Sequence, residues 1–260
     1  MIMMPHANIK TILVDLDRTL LHTDKTLSAY SVEVLKKCKK NGIRIIVATA
    51  RPWRTAKQYC EMMGCDGAVV SNGARIFCGN QQTDHALCQK SAVQVLDTLQ
   101  RHPDLRITLE TGEVAYSNQP ISDYETILSD DLTGIVKTEG ALKILVGLDG
   151  EETLAIATKG LPEDLYYSIS NGYLLQIMSK SATKWNGIKT VLELWHCTPE
   201  ETAYFGDDQD DIVPIKMCGL GISVANGIDA TKAAADYVSE SNNDDGVAKF
   251  IAQWLLPGDD

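Results

Sequence analysis

Short β-branched apolar runs alternate with helical patterns over the first seventy or so positions, and this alternation constrains the fold more than any other feature. The run at 9–14 ends in Asp15. A helix is expected next, capped by Ser28, with Tyr30, Val34, Leu35 and Cys38 on its apolar side and Gly42 just past its end. A second run covers 43–48, a helix fits between Pro52 and Gly64, and a third run covers 68–70. Joints this short imply parallel strands linked by crossover helices. Asn72-Gly73 signals a turn, and 74–78 reads as a returning hairpin arm.

The middle of the chain follows another rhythm. Strands are expected at 106–110, 114–117, 142–148, 165–170 and 174–178, with helices at 91–101, near 123–128 and at 151–158. After Lys184 the first style returns: helices at 185–195, 210–217, 230–235 and 247–254, and strands at 203–205, 220–224 and 237–238. The expected architecture is α/β, a doubly wound, mainly parallel sheet over 1–81 and 182–260 with an inserted α+β domain over 82–181.

Charge narrows the partners. The 260 residues carry 24 basic and 35 acidic side chains, a formal net charge of −11. Such a chain does not track nucleic acid or an anionic membrane through a broad electrostatic footprint. Seven cysteines without a C-x-x-C pair read as reduced thiols in a cytoplasmic protein rather than as a disulfide frame or a zinc site. No signal peptide is expected from the opening residues, and no apolar stretch reaches 18 residues, so a membrane span is not expected either.

Open α/β sheets gather ligands beyond the carboxyl ends of their strands. At those ends stand Asp15-Leu16-Asp17-Arg18-Thr19, then Thr49-Ala50-Arg51, then Gly206-Asp207-Asp208-Gln209-Asp210-Asp211. Lys184 opens the helix after the insert and can reach the same rim. Acidic residues at strand-to-helix turns also serve as plain helix caps. Converging carboxylates without a histidine or cysteine nearby nevertheless suit Mg²⁺. A carboxylate beside that ion can attack phosphorus. A carboxyl two residues on can pass a proton to the leaving oxygen, while a hydroxyl and an ammonium steady the transferring group.

These segments resemble the motifs of the haloacid dehalogenase-type phosphatases, in the Cof-type branch. Positions 14–21 are similar to the first motif, D-x-D-G-T-L-L; 47–51 to the second, A-T-G-R; and 206–212 to the fourth, G-D-N-x-N-D-I. Lys184 stands at the third-motif lysine. The insert resembles a C2-type cap in size and strand content. The resemblance implies Asp15 as nucleophile and metal ligand, and Asp17 as general acid/base with its main-chain carbonyl on the metal. It implies Thr49 and Lys184 on the phosphoryl group, Asp207 as a side-chain metal ligand, and Asp211 supporting Lys184 or the metal shell. Ala50, Arg51 and Asp210 are expected to face substrate. The implied activity is Mg²⁺-dependent hydrolysis of a small phosphorylated metabolite, such as a sugar phosphate, through an aspartyl-phosphate. The alternatives are a weakly catalytic phosphometabolite-binding module and a phosphomutase. Arg18 replaces a glycine of the first motif, which requires an allowed backbone angle or a changed loop. Ala50 replaces another glycine, and Asp208 and Asp210 replace amides.

Overall fold

The computed structural model describes residues 8–122, 124–170 and 172–257. The chain divides into two compact units. One draws on residues up to 51, 55–82 and 183 onward; the other on 52–54 and 83–182.

The elements, in chain order, begin with β1 (Thr11–Val14), α1 (Ala29–Lys40), β2 (Arg44–Ala48), α2 (Trp53–Met63), β3 (Gly67–Val70), β4 (Arg75–Cys78) and β5 (Gln81–Asp84). Next come α3 (Gln89–Leu99), β6 (Ile107–Glu110), β7 (Ala115–Ser117), β8 (Ile127–Leu128), α4 (Leu132–Glu139), β9 (Lys143–Gly147), α5 (Glu151–Thr158), β10 (Leu165–Ser170) and β11 (Leu174–Ser179). The chain closes with α6 (Lys184–Leu194), β12 (Thr202–Gly206), α7 (Ile212–Met217), β13 (Leu220–Val224), α8 (Asp229–Ala234), β14 (Tyr237–Ser239) and α9 (Gly246–Trp254).

In the first unit, the described strands form one sheet in the order β14-β13-β12-β1-β2-β3-β4-β5. Pairing is parallel from β14 to β3 and turns antiparallel at β3/β4. The strand order reverses at β1, which lies between β2 and β12, so the carboxyl ends of these three neighbours open onto one crevice. Side chains alternate across the sheet. Leu13, Ile46, Val69 and Tyr204 pack against Ile188, Val191 and Leu192 of α6 and Ile215 of α7. On the opposite parity, Phe205 meets Phe250 of α9 edge-on, with ring centroids 5.7 Å apart. Each aliphatic side chain buried in this way contributes roughly 1.5–3 kcal/mol. α1 begins where Ser28 Oγ accepts from the Ser31 N–H at 2.9 Å. Lysines 37, 39 and 40 sit in its last turn, where the helix dipole favours cations.

The second unit holds a sheet in the order β10-β11-β9-β6-β7-β8, antiparallel except at β7/β8. Ile107, Leu109, Ile144, Val146, Leu175 and Ile177 cover one face, against α3, α4 and Ala157 of α5. The alternate positions carry Thr108, Glu110, Lys143 and Gln176, and Lys143 Nζ donates to Gln176 Oε1 at 2.8 Å.

Three elements differ from the sequence expectation. The helix near 123–128 does not form: Ile127–Leu128 is a strand paired with β7, and position 123 lies outside the described residues. The helix lies later, at α4, because Asp131 Oδ1 accepts from the Gly134 N–H at 2.7 Å and so starts a turn there. β5 was unanticipated because Gln81–Asp84 carries no apolar period. The helix expected at 210–217 begins with a 3₁₀ turn over Gln209–Asp211 before α7.

Candidate active site

Register places the acidic turns side by side. Val14 pairs with both Phe205 and Val47, so Asp15, Gly206 and Ala48 follow at adjacent strand ends. The Asp15 N–H donates to the Phe205 carbonyl at 3.0 Å. The chain then makes a wide loop, with Leu20 N–H reaching back to the Asp15 carbonyl (3.3 Å) and Leu21 N–H to that of Leu16 (2.8 Å). Arg18 accommodates this loop in the left-handed region, at φ 59° and ψ 8°. That conformation costs a non-glycine residue roughly 1–2 kcal/mol. Thr19 Oγ1 donates to Asp207 Oδ1 at 2.8 Å and ties the loop to the end of β12.

Two close backbone approaches bring in the remaining groups. Gly73, at φ +89°, lies so near the α6 N-terminus that a Cβ would stand 2.1 Å from the Thr183 carbonyl oxygen. Thr183 caps α6 by accepting from the Asn186 N–H at 3.1 Å, which leaves Lys184 as the first helical residue. Gly206 admits Asp211 in the same manner, since a Cβ there would lie 2.5 Å from Asp211 Cβ.

Asp15, Asp207 and Asp211 each present a carboxylate oxygen within 4.8 Å of the others, and all three are buried. Lys184, also buried, donates to Asp15 Oδ1 at 2.8 Å and to Asp211 Oδ1 at 2.6 Å. Asp211 Oδ1 accepts in addition from Tyr204 Oη (2.5 Å), and Oδ2 accepts from the N–H groups of Asp207 (3.0 Å) and Asp208 (3.1 Å). Asp211 is thus saturated with donors. The second oxygens of Asp15 and Asp207 have no hydrogen-bond donor among the described residues.

Three carboxylates share one ammonium. Burial, with Asp211 and Asp207 adding to it, raises the Asp15 carboxyl well above its ordinary range despite Lys184. Burial and then Asp211 push Asp207 up to about 6. Burial opposes the charge on Lys184, but Asp15 and Asp211 outweigh it and hold the ammonium protonated well above its usual range. Hard, buried, under-compensated oxygens with no histidine or cysteine in the group fit a divalent cation, which the donor-less oxygens of Asp15 and Asp207 could hold.

Asp17 lies apart from this cluster. Its carboxylate accepts from Arg51 Nε (2.6 Å) and Nη2 (2.8 Å) and from Lys25 Nζ (2.5 Å). Burial favours the neutral acid, yet Arg51 and Lys25 prevail and lower its pKa. Thr49 is buried at the end of β2; its Oγ1 accepts from the Arg51 N–H at 3.2 Å. Ala50 is exposed in the same turn. Asp210 accepts from the side-chain amide of Asn72. Thr19, Lys25 and Tyr204 join these networks without having been singled out in the sequence. Thr19 lay within the first motif, whereas Tyr204 read as an ordinary core residue of an apolar strand, and Lys25 carried no signal.

The profile of the haloacid dehalogenase-like hydrolases matches residues 12–251. The 5-amino-6-(5-phospho-D-ribitylamino)uracil phosphatase YitU of Bacillus subtilis is 24% identical over 263 residues, covering 94% of this chain and 97% of the relative. The TM0651 structure from Thermotoga maritima superposes with a TM-score of 0.86 at 20% identity, covering 96% of this chain and 98% of that one. The sugar phosphatase BT4131 superposes with a TM-score of 0.80 at 20% identity, covering 95% and 99%. Across the described residues, no helix is long and apolar enough to cross a membrane. With its crevice of carboxylates at the sheet's reversal point and a profile match over nearly its whole length, the chain belongs to the haloacid dehalogenase-like hydrolases and is a phosphatase-type enzyme.

Proposed function

We propose that this enzyme is a cytoplasmic, Mg²⁺-dependent phosphatase that hydrolyses small phosphorylated metabolites through an aspartyl-phosphate on Asp15. The juxtaposition of Asp15, Lys184 and Asp207 carries this reading. Asp15, Asp207 and the main-chain carbonyl of Asp17 would hold the ion, with Asp211 fixing Lys184 beside them. Bound there, Mg²⁺ would neutralise the carboxylates and polarise the phosphoryl oxygens.

The chain's own groups supply the rest. An Asp15 carboxylate oxygen attacks phosphorus as the bond to the ester oxygen breaks. The Lys184 ammonium and the Thr49 hydroxyl hold the phosphoryl oxygens, with Ala50, Arg51 and Asp210 lining the approach. The Asp17 carboxyl gives a proton to the departing alkoxide. It later takes one from the water that cleaves the acyl phosphate, which frees Asp15 and inorganic phosphate. To carry that proton, Asp17 must leave the grip of Arg51 and Lys25, which stabilise its carboxylate form. We assign substrate choice to the insert at 82–181 and the chemistry to 1–81 and 182–260. The named substrate of the YitU relative, a phosphoester of a polyol bearing a heterocycle, supports a small organic phosphate. The seven free cysteines support the cytoplasmic setting.

Phosphate release from p-nitrophenyl phosphate tests the reading. Turnover should need Mg²⁺, stop with EDTA, and fall by roughly 10³-fold or more in Asp15→Asn. Full activity in that variant overturns the mechanism.

A further inference from the structure

This inference rests on the phosphatase reading. Of the cations at 18, 25, 51 and 184, three are hydrogen-bonded to site carboxylates: Lys184 to Asp15 and Asp211, and Arg51 and Lys25 to Asp17. The Arg18 guanidinium makes no hydrogen bond among the described residues. Its Nε stands 4.0 Å from Asp207 Oδ2, and its side chain is 61% exposed. At that distance and exposure the pairing with Asp207 contributes little, so the fork remains available to another anion.

The backbone fixes this cation at the rim. Arg18 is held left-handed, and its carbonyl accepts from Asn226 Nδ2 at 2.7 Å. Asn226 Oδ1 accepts from the Asn242 N–H at 2.8 Å, and Asn242 Nδ2 donates to the Leu21 carbonyl at 2.9 Å. The loop is therefore tied to the chain at Arg18 itself and again at Leu21. Its surroundings are otherwise hostile to anions: Asp208 and Asp210 stand on the neighbouring turn, and the chain carries a net charge of −11. Lys184 already serves two carboxylates. A phosphoester bearing a second negative group needs one more cation, and a planar guanidinium matches a carboxylate or phosphate in bidentate fashion.

We propose that Arg18 binds a second anionic group of the substrate, so that the preferred substrates are phosphomonoesters carrying a carboxylate or another phosphate. The test compares kcat/KM within two pairs: 3-phosphoglycerate against sn-glycerol 3-phosphate, and fructose 1,6-bisphosphate against fructose 6-phosphate. The wild-type enzyme should prefer the doubly anionic member of at least one pair by about tenfold or more. The pair that shows the preference tells a carboxylate from a phosphate. In Arg18→Gly that ratio should fall to about twofold or less, mainly through KM, and Arg18→Lys should retain part of it. Glycine suits the left-handed loop, so its melting temperature should match or exceed that of the wild type, which separates lost recognition from lost folding. A wild-type enzyme without preference in either pair, an unchanged ratio in the variant, or equal losses on both members overturns the proposal. If no ester is hydrolysed, it is the phosphatase reading that has failed. The role of Arg18 is then decided by calorimetric binding of the same four compounds to Asp15→Asn, with and without Arg18→Gly, and equal binding within both pairs overturns it.

Discussion

Asp207 shows how a single buried carboxylate can be costly to the fold. Burial and Asp211 bring its carboxyl to about 6, against 3.8 for the ordinary side chain. The folded state thus binds this proton more tightly than the unfolded chain. The resulting stability is complete below the unfolded value and is lost as pH rises through 6. A shift of this size corresponds to roughly 3 kcal/mol at neutral pH. In EDTA, Asp207→Asn should therefore melt several degrees higher than the wild type at pH 7.5, with the difference vanishing below about pH 4. Thermal denaturation across that range checks the sign, and a difference that grows toward acid pH contradicts it. The carboxylates were legible in the sequence because acidic residues at strand ends stand out against apolar runs, and Lys184 because it opens the helix after the insert, where the third-motif lysine of the resembled family falls. Thr19 and Tyr204 were not, because each spends its hydroxyl on a carboxylate that only the fold brings near.

At the scale of elements, Lys184 depends on the docking of α6 against the β3–β4 turn. Any side chain at Gly73 must displace the Thr183 backbone. Gly73→Ala should cost at least 2–3 kcal/mol in urea denaturation, combining overpacking with a left-handed alanine. It should also lower turnover beyond what the unfolded fraction explains, because the ammonium moves off Asp15. Unchanged stability would mean that α6 can slide freely. Most elements of the first unit follow from apolar period and capping, as with Ser28 before α1. The insert was harder to read. Ile127 and Leu128 are both exposed on a two-residue strand, so their apolar character signalled neither period, while α4 owes its start to the local bond that the Gly134 N–H donates to Asp131.

For the molecule as a whole, a cation that binds the folded carboxylates and not the unfolded chain must raise global stability. At a hundred times its dissociation constant the gain is about 2.7 kcal/mol. Added Mg²⁺ should raise the melting temperature of the wild-type protein, EDTA should reverse the rise, and Asp207→Asn should show little of it. A rise of equal size in that variant would place the ion elsewhere. The cluster also has a history in time. Thr19 and its partner Asp207 are 188 residues apart, with the whole insert between them. A nascent chain therefore carries Asp15 and Thr19 long before Asp207, and the carboxylate cluster cannot assemble until the residues on the far side of the insert have been made. A chain cut short within the insert would lack Asp207 and Asp211 and so two of the three clustered carboxylates, whereas an exchange of the stretch between would leave the cluster's residues unaltered.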